Sequence, residues 1–119
     1  MPVIHLEYSD NLSTHIDAQS FLKNAHADIS SLINTDIHNC KSRITAHKNY
    51  VVGNGAQGNA FVLLTVEILP GRTQEAKENL GKHLLKKLQD AFKSVPEALN
   101  LQFSCHIAEL DKNYFRHQR

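Results

Sequence analysis

The sequence predicts an α+β fold made of two βαβ units in tandem, with both helices on one face of a four-stranded mixed sheet. Three observations carry this. The spacing of apolar residues alternates along the chain between about two, the period of a strand, and about 3.6, the period of a helix. The order strand, helix, strand occurs twice, offset by roughly sixty residues, with pseudo-repeats over about 2–50 and 60–110. Right-handed crossovers then lay the two helices on the same side of the sheet. At 119 residues the chain is expected to form one domain, 1–119.

Val3 to Tyr8 alternates, with Ile4, Leu6 and Tyr8 on one side, and reads as the first strand. Asp10, Asn11 and Ser13 supply turn and N-cap chemistry. Ala18, Leu22, Ala25, Ile29 and Leu32 follow at helical steps, and Asn34-Thr35-Asp36 stops that helix. A second strand is expected over Lys41 to His47, extending towards Val52. The run FVLLTVEIL, within Ala60 to Leu69, is apolar on both faces for much of its length and reads as a central strand. Pro70-Gly71 breaks it, Thr73 caps the next helix, and Ala76, Leu80, Leu84, Leu88 and Ala91 form its stripe before Pro96. Leu99, Leu101, Phe103, Cys105 and Ile107 alternate with polar residues, the cleanest strand signal in the chain. With both helices on one face, the other face of the sheet is expected to be bare apolar surface that neighbouring subunits cover.

The stretch VVGNGAQGNA formally matches the dinucleotide-binding spacing G-x-G-x-x-G at Gly53, Gly55 and Gly58. That motif needs a helix directly behind it to hold a pyrophosphate, and a strand follows here. The glycines read instead as a hairpin-type loop with positive φ.

Thirteen basic against twelve acidic side chains leave the protein near neutral, which argues against nucleic acid or an anionic membrane as partner. An anionic ligand would have to be held by a few placed cations. No apolar run approaches the ~20 residues that span a bilayer, and no secretory leader pattern opens the chain, so a cytosolic protein is expected. Cys40 and Cys105 then read as reduced, buried thiols. The eight histidines show no metal-ligand spacing, and neither a nucleophile elbow nor a Walker-type phosphate loop occurs.

A possible base and two cations remain. If Met1 is trimmed, Pro2 carries a free secondary amine at the start of the first strand, where burial or a neighbouring cation would lower its pKa towards working pH. Arg72, in L-P-G-R-T, precedes the second helix and can face an anion together with the helix N-terminus. Arg43, in K-S-R-I-T, offers a second planar fork to a carboxylate or a developing enolate oxygen.

The opening P-V-I-H-L-E-Y-S-D-N-L, the segment S-R-I-T and the stretch N-A-F-V-L-L-T-V-E-I-L-P-G-R-T-Q-E-A-K-E-N-L together resemble the 5-carboxymethyl-2-hydroxymuconate isomerase family of the tautomerase superfamily. The likeness runs from Pro2 to about Leu110. It implies a tautomerase-like βαββαβ fold, a homotrimer, an amino-terminal proline at Pro2 as proton carrier, and Arg43 and Arg72 as substrate-binding residues. It implies an isomerase of a small unsaturated 2-hydroxy or 2-oxo carboxylate, as in aromatic catabolism, without metal or organic cofactor. Phe61, at the equivalent point of the second unit, has no free amine, and Leu12 stands where the second unit has Arg72. Tyr8, Tyr50, Phe61 and Phe115 are candidates to wall a pocket. Two rivals share the element order: a ferredoxin-like binding or regulatory module, whose sheet splits each βαβ pair, and a tautomerase-like protein with another substrate.

Overall fold

Alternation and helical stripes translate into eight elements in a computed structural model that describes residues 1–119. In order they are β1 (Val3–Ser9), a 3-10 turn (Asp10–His15), α1 (Ala18–Leu32), a second 3-10 turn (Ile37–Asn39), β2 (Lys41–His47), β3 (Asn59–Ile68), α2 (Gln74–Ala91) and β4 (Asn100–Glu109). The sheet order is β2-β1-β3-β4. Within each unit the strands are adjacent and parallel, and the units meet antiparallel through β1 and β3. A ferredoxin-like sheet would separate the strands of each unit, so that alternative is set aside.

Ile4, Leu6 and Tyr8 from β1 and Ala60, Val62, Leu64, Val66 and Ile68 from β3 face the helices, which contribute Phe21, Leu22, Ala25, Ile29, Leu80, Leu84, Leu88 and Phe92. Each such large side chain stabilises the fold by about 1.5–3 kcal/mol through burial. The α1 stripe differs from expectation at its ends: Phe21 and Ile33 are buried and Leu32 is 43% exposed. Asp17, not the Asp10–Ser13 group, caps α1 by accepting from Ser20 N, because residues 10–15 form their own 3-10 turn. Thr73 caps α2 through Ala76 N as expected.

Two further expectations are corrected. β2 ends at His47, and the glycine loop joins β2 to β3 across the end of β1, so it is not a hairpin. Its backbone does need positive φ, at 57° for Gly53 and 81° for Gly55. Nor is the helix-free face of the sheet bare hydrocarbon. His5 Nε2 pairs with Thr45 Oγ1 at 2.8 Å, and Glu7 meets His47 at 3.0 Å and His5 at 3.4 Å. Phe61 and Leu63 are the apolar part of β3 on that face, while Thr65 and Glu67 are polar, so FVLLTVEIL is doubly apolar only over its first half. Hydrophobic cover alone is therefore a weak reason for assembly.

Candidate active site

Strand directions bring four chain segments to one end of the sheet. Parallel pairing of β1 with β2 puts both their starts there, and the antiparallel turn to β3 adds the ends of β3 and β4. Met1 and Pro2 therefore sit beside Cys40-Lys41, beside the Pro70-Gly71-Arg72 loop and beside the C-terminal tail.

Pro2 is less than 2% exposed, and its carbonyl accepts from Lys41 N at 3.2 Å, extending the β1–β2 ladder by one bond. Met1 is 8% exposed. Burial is the largest influence holding the terminal ammonium's pKa below its usual value; Arg72 lowers it further, Cys40 opposes, and Arg116 and Lys41 add to the lowering. The amine thus lies in a partly desolvated, cationic corner that favours its neutral form.

Arg72 is placed by backbone chemistry. Gly71 has φ 118°, a region that L side chains rarely enter, and it turns the chain so that Arg72 points back towards α1. Arg72 Nε and Nη2 donate to the Ile33 carbonyl at 3.4 and 3.1 Å. That carbonyl lies at the C-terminal end of α1, where Asn34 adopts φ 53° and Thr35 N closes on Ser30 O at 3.0 Å. The guanidinium therefore rests on the negative end of the α1 dipole, rather than at the start of α2 as its sequence position suggests. Its other N–H groups have no protein acceptor.

Arg43 is not brought to the amine in the same way. It lies on the edge strand β2 opposite His5, is exposed, and is not among the charges acting on the terminus. It borders a groove of about 350 Å³ with Lys23, His26 and Ser42, and a smaller one of about 200 Å³ with Val3 and Lys41. His26 Nε2 pairs with Ser42 Oγ at 3.0 Å there, and burial lowers its pKa.

Arg116 is a cation of this corner that sequence reasoning did not select. Its Nη1 touches Met1 Sδ and reaches Asn39 Oδ1 at 3.5 Å. The basic, aromatic tail was its only signal, because nothing in the spacing shows that the tail folds back. None of Arg43, Arg72 and Arg116 forms an ion pair, whereas Lys77, Lys86 and Lys87 do.

Of the aromatic candidates, Tyr8 is in the core, and Tyr50 and Phe61 pack together at the opposite end of the sheet. Phe115 is 85% exposed on the tail, next to Arg116. Leu12 is fully buried, which is why the first unit has no cation at that point. Burial raises the Cys105 thiol to about 11, and Cys40 is also raised, first by burial, so neither is poised as a nucleophile. Five of the eight histidines bond to a side-chain partner: His5 to Thr45, His26 to Ser42, His38 to Asp36, His47 to Glu7 and His83 to Asp28. No group of three His, Cys, Asp or Glu is placed to hold a metal ion, and no helix is long and apolar enough to cross a membrane.

Two βαβ units paired through their first strands, with the amino terminus buried beside arginine, form the tautomerase frame. The fold is shared with a macrophage migration inhibitory factor-like protein from Entamoeba histolytica, at TM-score 0.67 and 14% identity over 98% of this chain and 95% of that one. It is also shared with a fused 4-OT described as a wild-type symmetric trimer, at TM-score 0.70 and 17% identity over 95% and 89%. Within this class, the 5-carboxymethyl-2-hydroxymuconate isomerase family matches residues 2–118; the chain belongs to that family and is an isomerase. A 5-carboxymethyl-2-hydroxymuconate isomerase from Deinococcus radiodurans R1 superposes at TM-score 0.90, with 23% identity over 99% of this chain and 90% of that one. No curated protein matches the chain in sequence.

Proposed function

We propose that this protein isomerises a small unsaturated 2-hydroxy or 2-oxo carboxylate, such as 5-carboxymethyl-2-hydroxymuconate, with Pro2 as base and acid once Met1 is removed. The observation that carries the reading is the buried amino terminus, whose pKa is lowered by desolvation and by Arg72. Pro2 is the next residue, its Cα about 3.8 Å further along the chain and just ahead of β1. Its own burial and the nearness of Arg72 support a neutral secondary amine there. The family match also begins at Pro2.

In the proposed reaction the Pro2 nitrogen takes a proton from the 2-hydroxyl or an α-carbon. Either way a dienolate results, its electron pair shared between oxygen and the carbons of the conjugated system. The same nitrogen then returns the proton at a carbon further along, so the double bonds shift and nothing is gained or lost. A placed base of this kind supplies about 10²–10⁴-fold. Arg72, fixed through two of its donors by Ile33, offers the rest to a carboxylate or 2-oxo oxygen and stabilises the charge that develops there.

We place the activity in a homotrimer. The fused 4-OT with this fold is described as a symmetric trimer, and β2 presents an unpaired outer edge. Arg43, on that edge, is assigned to the site of a neighbouring subunit. A cytoplasmic setting, where Cys40 and Cys105 stay reduced, fits the same reading.

The test is ketonisation of 2-hydroxymuconate-type compounds by the trimmed protein, its terminus checked by mass spectrometry. Pro2→Ala, or an irremovable N-terminal tag, is expected to lower kcat by about 10²-fold or more. Full activity in both removes Pro2 from the mechanism.

A further inference from the structure

After β4 the chain turns back towards the amino terminus, although residues 111–119 other than Tyr114 are exposed. Leu110 N donates to Ile68 O at 2.8 Å and its side chain is buried, which anchors the exit from the sheet. Asp111 then turns the chain: its carboxylate accepts from Asn113 N at 2.8 Å and its carbonyl from Tyr114 N at 3.0 Å. Tyr114 lies under Lys41, with Nζ 5.9 Å from the ring centroid. Two residues on, Arg116 reaches the amino terminus and Asn39, while its Nη2 donates to Gln118 Oε1 at 3.0 Å.

The partners of Arg116 are poor ones for a guanidinium. A thioether is a weak acceptor, Asn39 and Gln118 are neutral amides, and no carboxylate pairs with it. The planar fork is matched to carboxylate. Met1 stands between Arg116 and Pro2, and removing it leaves the space of one methionine side chain between a guanidinium and the proline nitrogen.

We propose that residues 111–119 form a cap over the terminal amine and that Arg116 binds an additional substrate carboxylate, selecting substrates that carry one. The inference rests on the proline-base reading and extends it to specificity. 5-Carboxymethyl-2-hydroxymuconate differs from 2-hydroxymuconate by one carboxymethyl group, so the pair isolates the charge that Arg116 would read. Arg72 meets the carboxylate or oxo group common to both, and Arg116 meets the one that differs. Arg116 is also among the charges that lower the pKa of the Met1 amine, so its loss is expected to raise the pKa of the Pro2 amine that takes that place, a second readout.

The experiment measures kcat/KM for both compounds with the trimmed wild type, Arg116→Ala, Arg116→Lys and Pro2→Ala. Arg116→Ala is expected to lose about 10- to 100-fold on the carboxymethyl compound, mainly in KM, the worth of one charge-assisted hydrogen-bonded pair. Above the acid limb, where the amine is neutral in both proteins, the loss on 2-hydroxymuconate should be far smaller than on the carboxymethyl compound. Arg116→Lys should fall between, since it keeps the charge and loses the fork. The acid limb of the pH–rate profile should move to higher pH in Arg116→Ala and stay in place in Arg116→Lys. An unchanged ratio between the two compounds in Arg116→Ala, or an equal loss on both, overturns the assignment. Pro2→Ala reads the other question: if it keeps full activity while the Arg116→Ala ratio shifts, the base assignment fails and the specificity assignment stands. If neither compound turns over, the same ratio is taken from dissociation constants by calorimetry, and failure of the wild type to bind the carboxymethyl compound more tightly overturns the proposal.

Discussion

At the residue scale Arg72 has two duties that a single substitution separates. Its guanidinium closes the C-terminal end of α1 through Ile33 O, and its charge contributes to the lowered pKa of the amino terminus. Arg72→Ala leaves that carbonyl without its charged partner and is expected to destabilise the fold by about 1 kcal/mol, read as a lower midpoint in urea. In the proposed reaction the Pro2 amine acts as a base only above its pKa, so activity is expected to be lost as pH falls through it. Arg72 is among the causes that lower the pKa of the terminal amine, so taking it away is expected to raise that pKa. The acid limb of kcat/KM should therefore move to higher pH in Arg72→Ala. A limb that stays in place would mean that Arg72 does not act on the amine.

At the scale of elements, the two helices are tied on their outer side by Asp28 of α1, which accepts from His83 Nε2 at 2.9 Å and Lys87 Nζ at 2.7 Å of α2. Burial alone would raise the Asp28 pKa, but the hydrogen bonds from Lys87 and His83 outweigh it and hold the carboxyl below the usual range. A depressed carboxyl pKa stabilises the fold above the unfolded value, and the gain disappears as pH falls through the folded one. Asp28→Asn is expected to lower the melting temperature at neutral pH by the worth of about 1 kcal/mol or less, as the pair is partly solvated. The gap between variant and wild type should close below about pH 4, where the aspartate protonates. A gap that persists at pH 2 would show a packing effect instead.

At the scale of the whole molecule, the question is where the exposed edge and the free sheet face go. Arg43 lies outside the set of charges that act on its own chain's amine. Sedimentation is expected to show a species of three chains. If the site is shared as proposed, Pro2→Ala and Arg43→Ala are each expected to be deficient alone and to regain part of the activity when refolded together, because some mixed trimers would then carry one intact site made from two subunits. Absence of recovery in mixed trimers would return Arg43 to its own chain or remove it from the site. The polar pairs of His5, Glu7, Thr45 and His47 would lie at such an interface, so assembly would have to satisfy hydrogen bonds as well as cover Phe61 and Leu63.

The sequence by itself determined the elements and their order, because periodicity is a local property: β3, β4 and both helices were legible from which residues repeat at two or at 3.6. It also offered Pro2 and Arg72 as site candidates, from signals that sit within short motifs. Which residues share a corner was decided only by tertiary structure. Parallel and antiparallel pairing brings Met1, Cys40, Arg72 and the tail to one end of the sheet from positions far apart in the chain. Arg116 was invisible for that reason, and so were the turn of Arg72 towards α1 and the polar character of the free face. Side-chain type is written in the chain, but proximity across 115 residues, as between Met1 and Arg116, comes from strand pairing and from a tail anchored at Leu110.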